Sequence, residues 1–316
     1  MRILVTGGAG FIGSNLTEAL LKDERVKFVR VLDNLSTGFL KNLEPFMSDP
    51  RFEFLEGDIR DYDTCKKAVD GIDAITHQAA LGSVPRSIND PLTTNNVNIT
   101  GALNVFTAAK EAGIKRVVYA ASSSTYGDHP GLPKVEDKIG NPLSPYAVTK
   151  YVNELYARVY ANLYAMEFIG LRYFNIFGPR QNPNGPYAAV IPLFAEALIN
   201  MKPPTINGDG SHSRDFTFVA NAVQANILSL FTTSQEAVNQ VYNIACGEQT
   251  SLLELFNGLN KEANTTLQPI FGPERLGDVK HSLADISKAR TLLGYTPDIT
   301  VNDGLKMTFK WYKERV

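Results

Sequence analysis

Tyr146 and Lys150 stand four residues apart in Leu143-Ser144-Pro145-Tyr146-Ala147-Val148-Thr149-Lys150. Ser144 is a good N-cap and proline suits the first helical position, so a helix begins here with both side chains on one face. An ammonium beside a phenol favours the phenolate. Moving a tyrosine from about 10 toward about 7 corresponds to roughly 4 kcal/mol of differential stabilisation. A phenolate at neutral pH is a competent general base toward a hydroxyl. Tyr-x-x-x-Lys also arises by chance, as two exposed helical side chains. Here it follows a hydroxyl cluster, Ser122-Ser123-Ser124, at the end of a predicted strand. Parallel sheets present ligand-binding residues at that edge.

A second constellation opens the chain. Gly7, Gly8, Gly10 and Gly13 punctuate Thr6-Gly7-Gly8-Ala9-Gly10-Phe11-Ile12-Gly13, between an apolar run and an amphipathic one. Residues without Cβ let the backbone approach a pyrophosphate, whose charge then sits at a helix N-terminus. Glycine clusters alone make ordinary turns, but Asp33 stands about 20 residues on, where a carboxylate can bind the ribose of a dinucleotide. That acid would repel a 2′-phosphate, and no arginine follows it in Asn34–Gly38, so the expected cofactor is NAD rather than NADP. Asp58-Ile59 fits an adenine contact, although a capping aspartate explains Asp58 nearly as well.

The elements that position these residues alternate. Arg2–Thr6, Lys27–Asp33, Phe52–Gly57, Ala74–Gln78, Val117–Ala121 and Phe168–Tyr173 are continuous apolar runs, as in strands covered on both faces. Ser14–Lys22, Asp61–Val69, Thr100–Ala112 and Pro145–Tyr164 read as the helices between them. This order predicts an α/β fold with a Rossmann-type doubly wound parallel sheet. After about Phe174 the pattern changes: Gly and Pro cluster, and helices at Thr217–Phe231 and Ser251–Ala263 are more widely spaced. A smaller C-terminal lobe is expected there.

The bulk numbers suit a soluble enzyme. Of 316 residues, 44% are hydrophobic and 20% charged, and the net charge of −2 leaves no basic footprint for nucleic acid or an anionic membrane. Cys65 and Cys246 read as free thiols rather than a disulfide framework. The four histidines share no metal-ligand spacing, so no metal is expected. Nothing near Met1 resembles a signal peptide, and the apolar Ala188–Ile199 run is broken by Pro192 and Glu196. A cytoplasmic protein is expected.

Together the glycine loop, the Ser122-Ser123-Ser124-Thr125-Tyr126-Gly127 run and Tyr146/Lys150 resemble the extended short-chain dehydrogenase/reductases, specifically the nucleotide-sugar epimerases. The likeness spans essentially the whole chain. It implies an NAD-binding Rossmann domain over residues 1–174. A UDP-sugar-binding lobe would follow over residues 175–316, part of it returning to the sheet. It places a catalytic triad on Ser122, Tyr146 and Lys150, with Ser123 and Ser124 touching substrate. It assigns cofactor contacts to Gly7, Gly10, Phe11, Ile12, Gly13, Asp33, Asn34, Asp58, Ile59, Gln78, Ala79, Ala80, Asn98 and Tyr173, besides Tyr146 and Lys150. Asn175 would lie near the UDP diphosphate, gripped by Arg214 and Arg275, with Asp278 in the same substrate-binding segment. Guanidinium forks suit phosphate oxygens. Without the resemblance, surface or interlobe salt bridges would explain either arginine.

The resemblance also separates reactions. Sugar-nucleotide 4,6-dehydratases typically carry Thr-Asp-Glu where this chain has Ser122-Ser123-Ser124, and UDP-glucuronate decarboxylases usually hold a glutamate there. Without that carboxylate, 4-epimerisation of a UDP-sugar is expected. Ser282 falls where related epimerases border the sugar's C2′ substituent. A tyrosine there disfavours N-acetyl sugars, whereas a serine leaves room. Ser83, in Gln78-Ala79-Ala80-Leu81-Gly82-Ser83-Val84-Pro85, belongs to a run like that of the N-acetyl-preferring branch. The preferred pair is therefore UDP-N-acetylglucosamine and UDP-N-acetylgalactosamine. UDP-glucose/UDP-galactose is the alternative, and a non-catalytic NAD-binding regulator a remote one. A homodimer through Thr100–Ala112 and Pro145–Tyr164 is implied as well.

Overall fold

The apolar runs become strands buried on both faces, as Ile3–Val5 of β1 (Arg2–Thr6) illustrate. The computed structural model describes residues 1–184, 188–274 and 280–315. After β1 come α1 (Phe11–Lys22), β2 (Phe28–Asp33), β3 (Phe52–Glu56), α2 (Tyr62–Val69) and β4 (Ala74–His77). Two short helices, α3 (Val84–Asn89) and α4 (Pro91–Asn95), precede a wide helical turn at Asn96–Gly101 and α5 (Ala102–Glu111). β5 (Arg116–Ser122), α6 (Pro145–Tyr164) and β6 (Glu167–Tyr173) complete the first half.

The second half is built from shorter pieces. These are β7 (Ile176–Phe177), α7 (Val190–Ile199), β8 (Thr205–Asn207), β9 (Ser213–Arg214), β10 (Thr217–Phe218), α8 (Val219–Phe231) and β11 (Gln240–Ile244). β12 (Thr250–Ser251), α9 (Leu252–Ala263), β13 (Ile270–Gly272), α10 (Ser287–Leu293) and α11 (Val301–Lys313) follow.

One seven-stranded sheet organises the molecule, in the order β3-β2-β1-β4-β5-β6-β11, every neighbouring pair parallel. The order reverses between β1 and β4, and such a switch point opens a crevice at the C-terminal ends of the strands. β11 reaches the sheet from the second half of the chain and pairs with β6 from Gln240–Ile169 to Ile244–Tyr173. Three two-stranded ladders, β7–β10, β9–β12 and β8–β13, stand apart from the main sheet.

Helices cover both faces. On one, α1 packs against α8, and Leu16, Leu20, Ala222 and Ala225 belong to a core that continues to the apolar residues of α7, α9 and α11, which pack against one another. On the other, α2 and α6 pack beside α5, whose Phe106 ring meets Phe168 edge-on at 4.9 Å between centroids. Such tilted aromatic pairs add to plain area burial. α6 begins as its sequence predicts: Ser144 accepts a hydrogen bond from the Ala147 N–H, and Pro145 fills the first position.

One buried side chain makes stability depend on pH. His77, on β4, shares a 2.7 Å hydrogen bond through Nδ1 with the Thr6 hydroxyl. Burial, helped by the nearby Lys150 charge, pushes its pKa down to about 3 from the ordinary 6.5. A depressed pKa means the unfolded chain takes up a proton that the folded chain refuses. The stabilisation is therefore present above about pH 6.5 and is lost as pH falls toward 3, by up to about 1.4 kcal/mol per pH unit. Urea unfolding of the wild type and His77→Gln at pH 7, 6 and 5 should show the wild type losing stability faster. Parallel profiles would assign the acid sensitivity to other groups.

Candidate active site

The C-terminal ends of β1, β2, β4 and β5 converge on a cavity of about 520 Å³. The strand order gives it two ends. Asp33 and Asn34 at the end of β2, with Asp58 and Ile59 after β3, line one; Ala120–Ser123 at the end of β5, with Tyr146, Lys150 and Tyr173, line the other. Gly7, Gly10 and Phe11–Gly13 lie between, and Gln78, Ala79 and Ala80 extend from β4.

Gly7 and Gly13 stand where nothing larger fits. Gly7 has φ +71°, and a Cβ on it would stand 2.6 Å from the Ala79 nitrogen. A Cβ on Gly13 would come within 2.1 Å of the Gly7 carbonyl oxygen. A Cβ on Gly10 would meet only that oxygen, at 3.2 Å, and otherwise fill open space. Gly10 also begins α1 without any side-chain cap, leaving first-turn amides for an anion. Asp33 is buried and accepts from the N–H of Ala9 at 2.9 Å and of Leu35 at 2.8 Å. Its carboxylate thus ties the glycine loop to the end of β2. Burial outweighs those two bonds and raises its pKa. At Asp58 the Arg60 guanidinium is the main cause of a pKa near 2, and Asn34 donates to the same carboxylate at 2.8 Å. These residues fit a dinucleotide: uncapped amides for a pyrophosphate, a cradle with no room for side chains, and a carboxylate for a ribose.

At the other end, Ser122 pairs in register with Tyr173 across β5 and β6. The Ser122 hydroxyl accepts from the N–H of Ser124 at 3.2 Å and from its hydroxyl at 2.9 Å. Lys150 is buried, and its Nζ donates to the Ala120 carbonyl at 2.9 Å. Burial raises the pKa of the Tyr146 phenol, and its interaction with the Ser122 hydroxyl pulls the other way. The i,i+4 spacing puts both groups on one face, but the ammonium is bonded to a strand carbonyl. Burial lowers the pKa of Lys150 itself to about 8.

Tyr173 behaves differently. Burial pushes its phenol up to about 12, while its hydroxyl donates to Gln78 Oε1 at 3.0 Å and accepts from Asn226 Nδ2 at 2.7 Å. It stays neutral and cannot compete with Tyr146 as a base.

A second cavity of about 810 Å³ adjoins the first, and Asn175 and Ile176 line both. Arg214, His212 and Asn207 line it along with Val190, Ile191, Leu193 and Phe216. Asn175 has φ +38° and donates to the Asp215 carbonyl at 3.0 Å. Asp215 in turn accepts from the N–H groups of Cys246, Gly247 and Ala284, and so holds the Arg214 strand against two other segments.

Several expected contacts are not brought to the cavity walls. Asn98, in the wide helical turn, accepts from the Leu81 N–H and donates to the Leu81 carbonyl and the Thr149 hydroxyl. It thereby fixes the segment after β4 against α6 rather than lining either cavity. Ser124 acts through Ser122, and Ser83, at φ +132°, caps α3 by accepting from the Arg86 N–H. Ser282 lines neither cavity. Its N–H donates to the Ser213 carbonyl, beside Arg214, and its hydroxyl is buried with no hydrogen-bond partner among the described residues. Arg275 and Asp278 lie outside the described residues.

Sequence reasoning missed Ser36, Thr37, Gly57, Leu81 and Gly82, which also line the first cavity. Small and polar residues just after predicted strands were the available signal. It missed Thr76 and Asn226 as well, for which no local signal existed.

The fold and this cavity define a class: the chain belongs to the NAD dependent epimerase/dehydratase family, whose sequence profile matches residues 3–245. A UDP-glucose 4-epimerase of Mycolicibacterium smegmatis is 38% identical over 317 residues, covering 100% of this chain and 99% of its own. The solved UDP-N-acetylglucosamine 4-epimerase of Methanobrevibacter ruminantium, in complex with UDP-N-acetylmuramic acid, is 39% identical with a TM-score of 0.94, covering 100% of this chain and 99% of its own. The UDP-glucose 4-epimerase of Thermus thermophilus in complex with NAD is 33% identical with a TM-score of 0.89, each chain covered completely.

Proposed function

We propose that this protein is an NAD-dependent UDP-sugar 4-epimerase that interconverts UDP-N-acetylglucosamine and UDP-N-acetylgalactosamine. One observation carries the choice of reaction. Among the described residues lining the two cavities, the only carboxylates are Asp33 and Asp58, both at the end away from Tyr146. Eliminating water needs an acid/base besides the tyrosine; epimerisation at C4′ does not. The epimerases of Mycolicibacterium smegmatis and Methanobrevibacter ruminantium support the same reaction.

In this reading Gly7, Gly10 and Phe11–Gly13 hold the pyrophosphate of NAD, Asp33 its adenosine ribose, and Tyr173 and Lys150 the nicotinamide end. When bound, NAD supplies the hydride acceptor and donor for C4′ and, in its oxidised form, a positive charge in the cavity. Lys150, with a pKa of about 8, is protonated at neutral pH. A further positive charge beside a buried phenol favours the phenolate, so Tyr146 becomes a base when the site is loaded. Tyr146 then removes the proton from the 4′-hydroxyl while Ser122 holds that oxygen. The 4-keto sugar turns in its pocket, and Tyr146 returns the proton after the opposite face has been reduced. Asn175 and Arg214 anchor the diphosphate throughout, so the sugar can rotate without leaving.

The preference for an N-acetyl sugar rests on Ser282. Its N–H is bonded to Ser213 on the Arg214 strand and its buried hydroxyl has no hydrogen-bond partner among the described residues, and a side chain this small leaves room for an acetamido group where a tyrosine would crowd it. Ser282→Tyr is expected to remove turnover of the N-acetyl sugars while sparing UDP-glucose; an unchanged preference would sink the assignment. A second copy of the chain is proposed to cover the apolar stripe Val148, Leu155, Val159 and Leu163 on α6, with Ile88 and Leu92 nearby on α3 and α4. The α5 helix, by contrast, exposes no large apolar side chain.

Proton NMR of the protein with NAD and, separately, UDP-N-acetylglucosamine, UDP-glucose and UDP-glucuronic acid tests the whole reading. The galacto product should form chiefly from the N-acetyl sugar. Formation chiefly from UDP-glucose keeps the mechanism but overturns the pocket, and no conversion of any overturns both.

A further inference from the structure

We propose that Asn226, on α8 and outside the cavity lining, is a positioning residue for the nicotinamide end of NAD, acting through Tyr173 and Gln78. Asn226 is fully buried, and every hydrogen-bonding site of its amide is filled. Its Oδ1 accepts from the Thr76 hydroxyl at 3.0 Å and from Gln78 Nε2 at 2.9 Å. Its Nδ2 donates to the Tyr173 hydroxyl at 2.7 Å and to the Ala222 carbonyl at 2.8 Å. Gln78 Nε2 also donates to the Thr76 hydroxyl at 2.9 Å.

These bonds form a closed circuit whose directions are all determined. The Ala222 carbonyl can only accept, which fixes which end of the Asn226 amide is nitrogen. Tyr173 must then accept from Asn226 and use its own proton toward Gln78 Oε1. Gln78 in turn has both amide protons engaged, with Thr76 and Asn226. Of the four side chains, Tyr173 and Gln78 line the first cavity, while Thr76 and Asn226 lie beneath it. A satisfied, buried network is rigid, and removing one member leaves its partners unpaired in a low dielectric. The circuit therefore sets the angle at which the Tyr173 ring and the Gln78 amide meet the reacting end of the cofactor, one strand away from Ser122.

The inference rests on the first cavity being the NAD site. Its test is calorimetric titration of NAD into cofactor-stripped protein, for wild type, Asn226→Ala, Tyr173→Phe and the double variant. Asn226→Ala should weaken NAD binding about tenfold, the size of one lost or misdirected buried hydrogen bond. Because Asn226 acts through Tyr173 and Gln78, the double variant should lose clearly less NAD affinity than the two single losses combined. A residue that only supported the fold would lower the unfolding temperature but leave the NAD dissociation constant alone, or its effect would add to that of Tyr173→Phe. Either result would overturn the proposal. Should Asn226→Ala fail to fold, Thr76→Val removes one hydroxyl of the same circuit. A loss of about threefold in NAD affinity is expected from it, and wild-type affinity would overturn the proposal equally. No sugar is present, so this outcome and that of the epimerase reading are independent.

Discussion

Tyr146→Phe is expected to fold normally and to lose at least about 10²–10⁴-fold in kcat, the usual worth of a positioned acid/base. The fold should survive because, among the described residues, the phenol hydroxyl interacts with the Ser122 hydroxyl alone, whereas the ring keeps its place in the first turn of α6. Chemistry should fail because no other group at this end of the cavity can take its proton. Lys150 is bonded to the Ala120 carbonyl, Tyr173 is held neutral with its pKa near 12, and the serines do not ionise in this range. The raised resting pKa of Tyr146 adds a pH signature. If loading the site is what makes the phenol acidic, kcat should fall as pH drops through the loaded value, whereas the unloaded protein should show no tyrosinate absorbance at neutral pH. NAD affinity should be nearly unchanged in the variant. Near-normal turnover by Tyr146→Phe would remove this residue from the mechanism and leave the site without an evident base.

What could be seen in the sequence depended on how local each feature is. The six strands of the first half are continuous apolar runs, and their observed bounds fall within a residue of the expected ones. The glycine loop and the Tyr146/Lys150 pair are each contained in one short segment, so spacing alone exposed them. β7, β9, β10 and β12 are two residues long, and no periodicity can show in two residues. The hydrogen bond of Lys150 depends on which carbonyl β5 presents to α6, a relation between elements that the i,i+4 spacing does not show. The Asn226 circuit joins β4, β6 and α8 across as many as 150 positions of sequence. Nothing in Val219–Phe231 distinguishes one buried asparagine of an apolar helix from another until the strands are packed beneath it.

The glycine loop supports the other large effect: Gly13→Ala should abolish useful NAD binding, weakening it by at least about 100-fold. Gly13 has an ordinary helical backbone, so the penalty is one of space. Its Cβ would lie 2.1 Å from the Gly7 oxygen, 2.8 Å from the Gly7 carbonyl carbon and 2.8 Å from the Gly8 Cα. All three are backbone atoms, and no rotamer change can move them aside. The loop must lift from α1, and it is held by a tight set of bonds: Gly7 N–H to the Leu32 carbonyl at 2.8 Å, Gly10 N–H to the Gly7 carbonyl at 3.1 Å and Ala9 N–H to Asp33 at 2.9 Å. Lifting it breaks the path by which Asp33 and the start of α1 face one ligand together. Overpacking itself costs about 1–3 kcal/mol of stability, so a cold-purified variant should remain folded. Gly113→Ala is the comparison. Its backbone at φ +73° penalises a side chain, but no atom stands within 4 Å of the new Cβ and the position is remote from the cavity. Gly113→Ala should lose about 1 kcal/mol of stability and keep wild-type NAD affinity. Equal affinities for the two variants would mean that the loop yields to a methyl group, and that close backbone approach is not what holds the pyrophosphate.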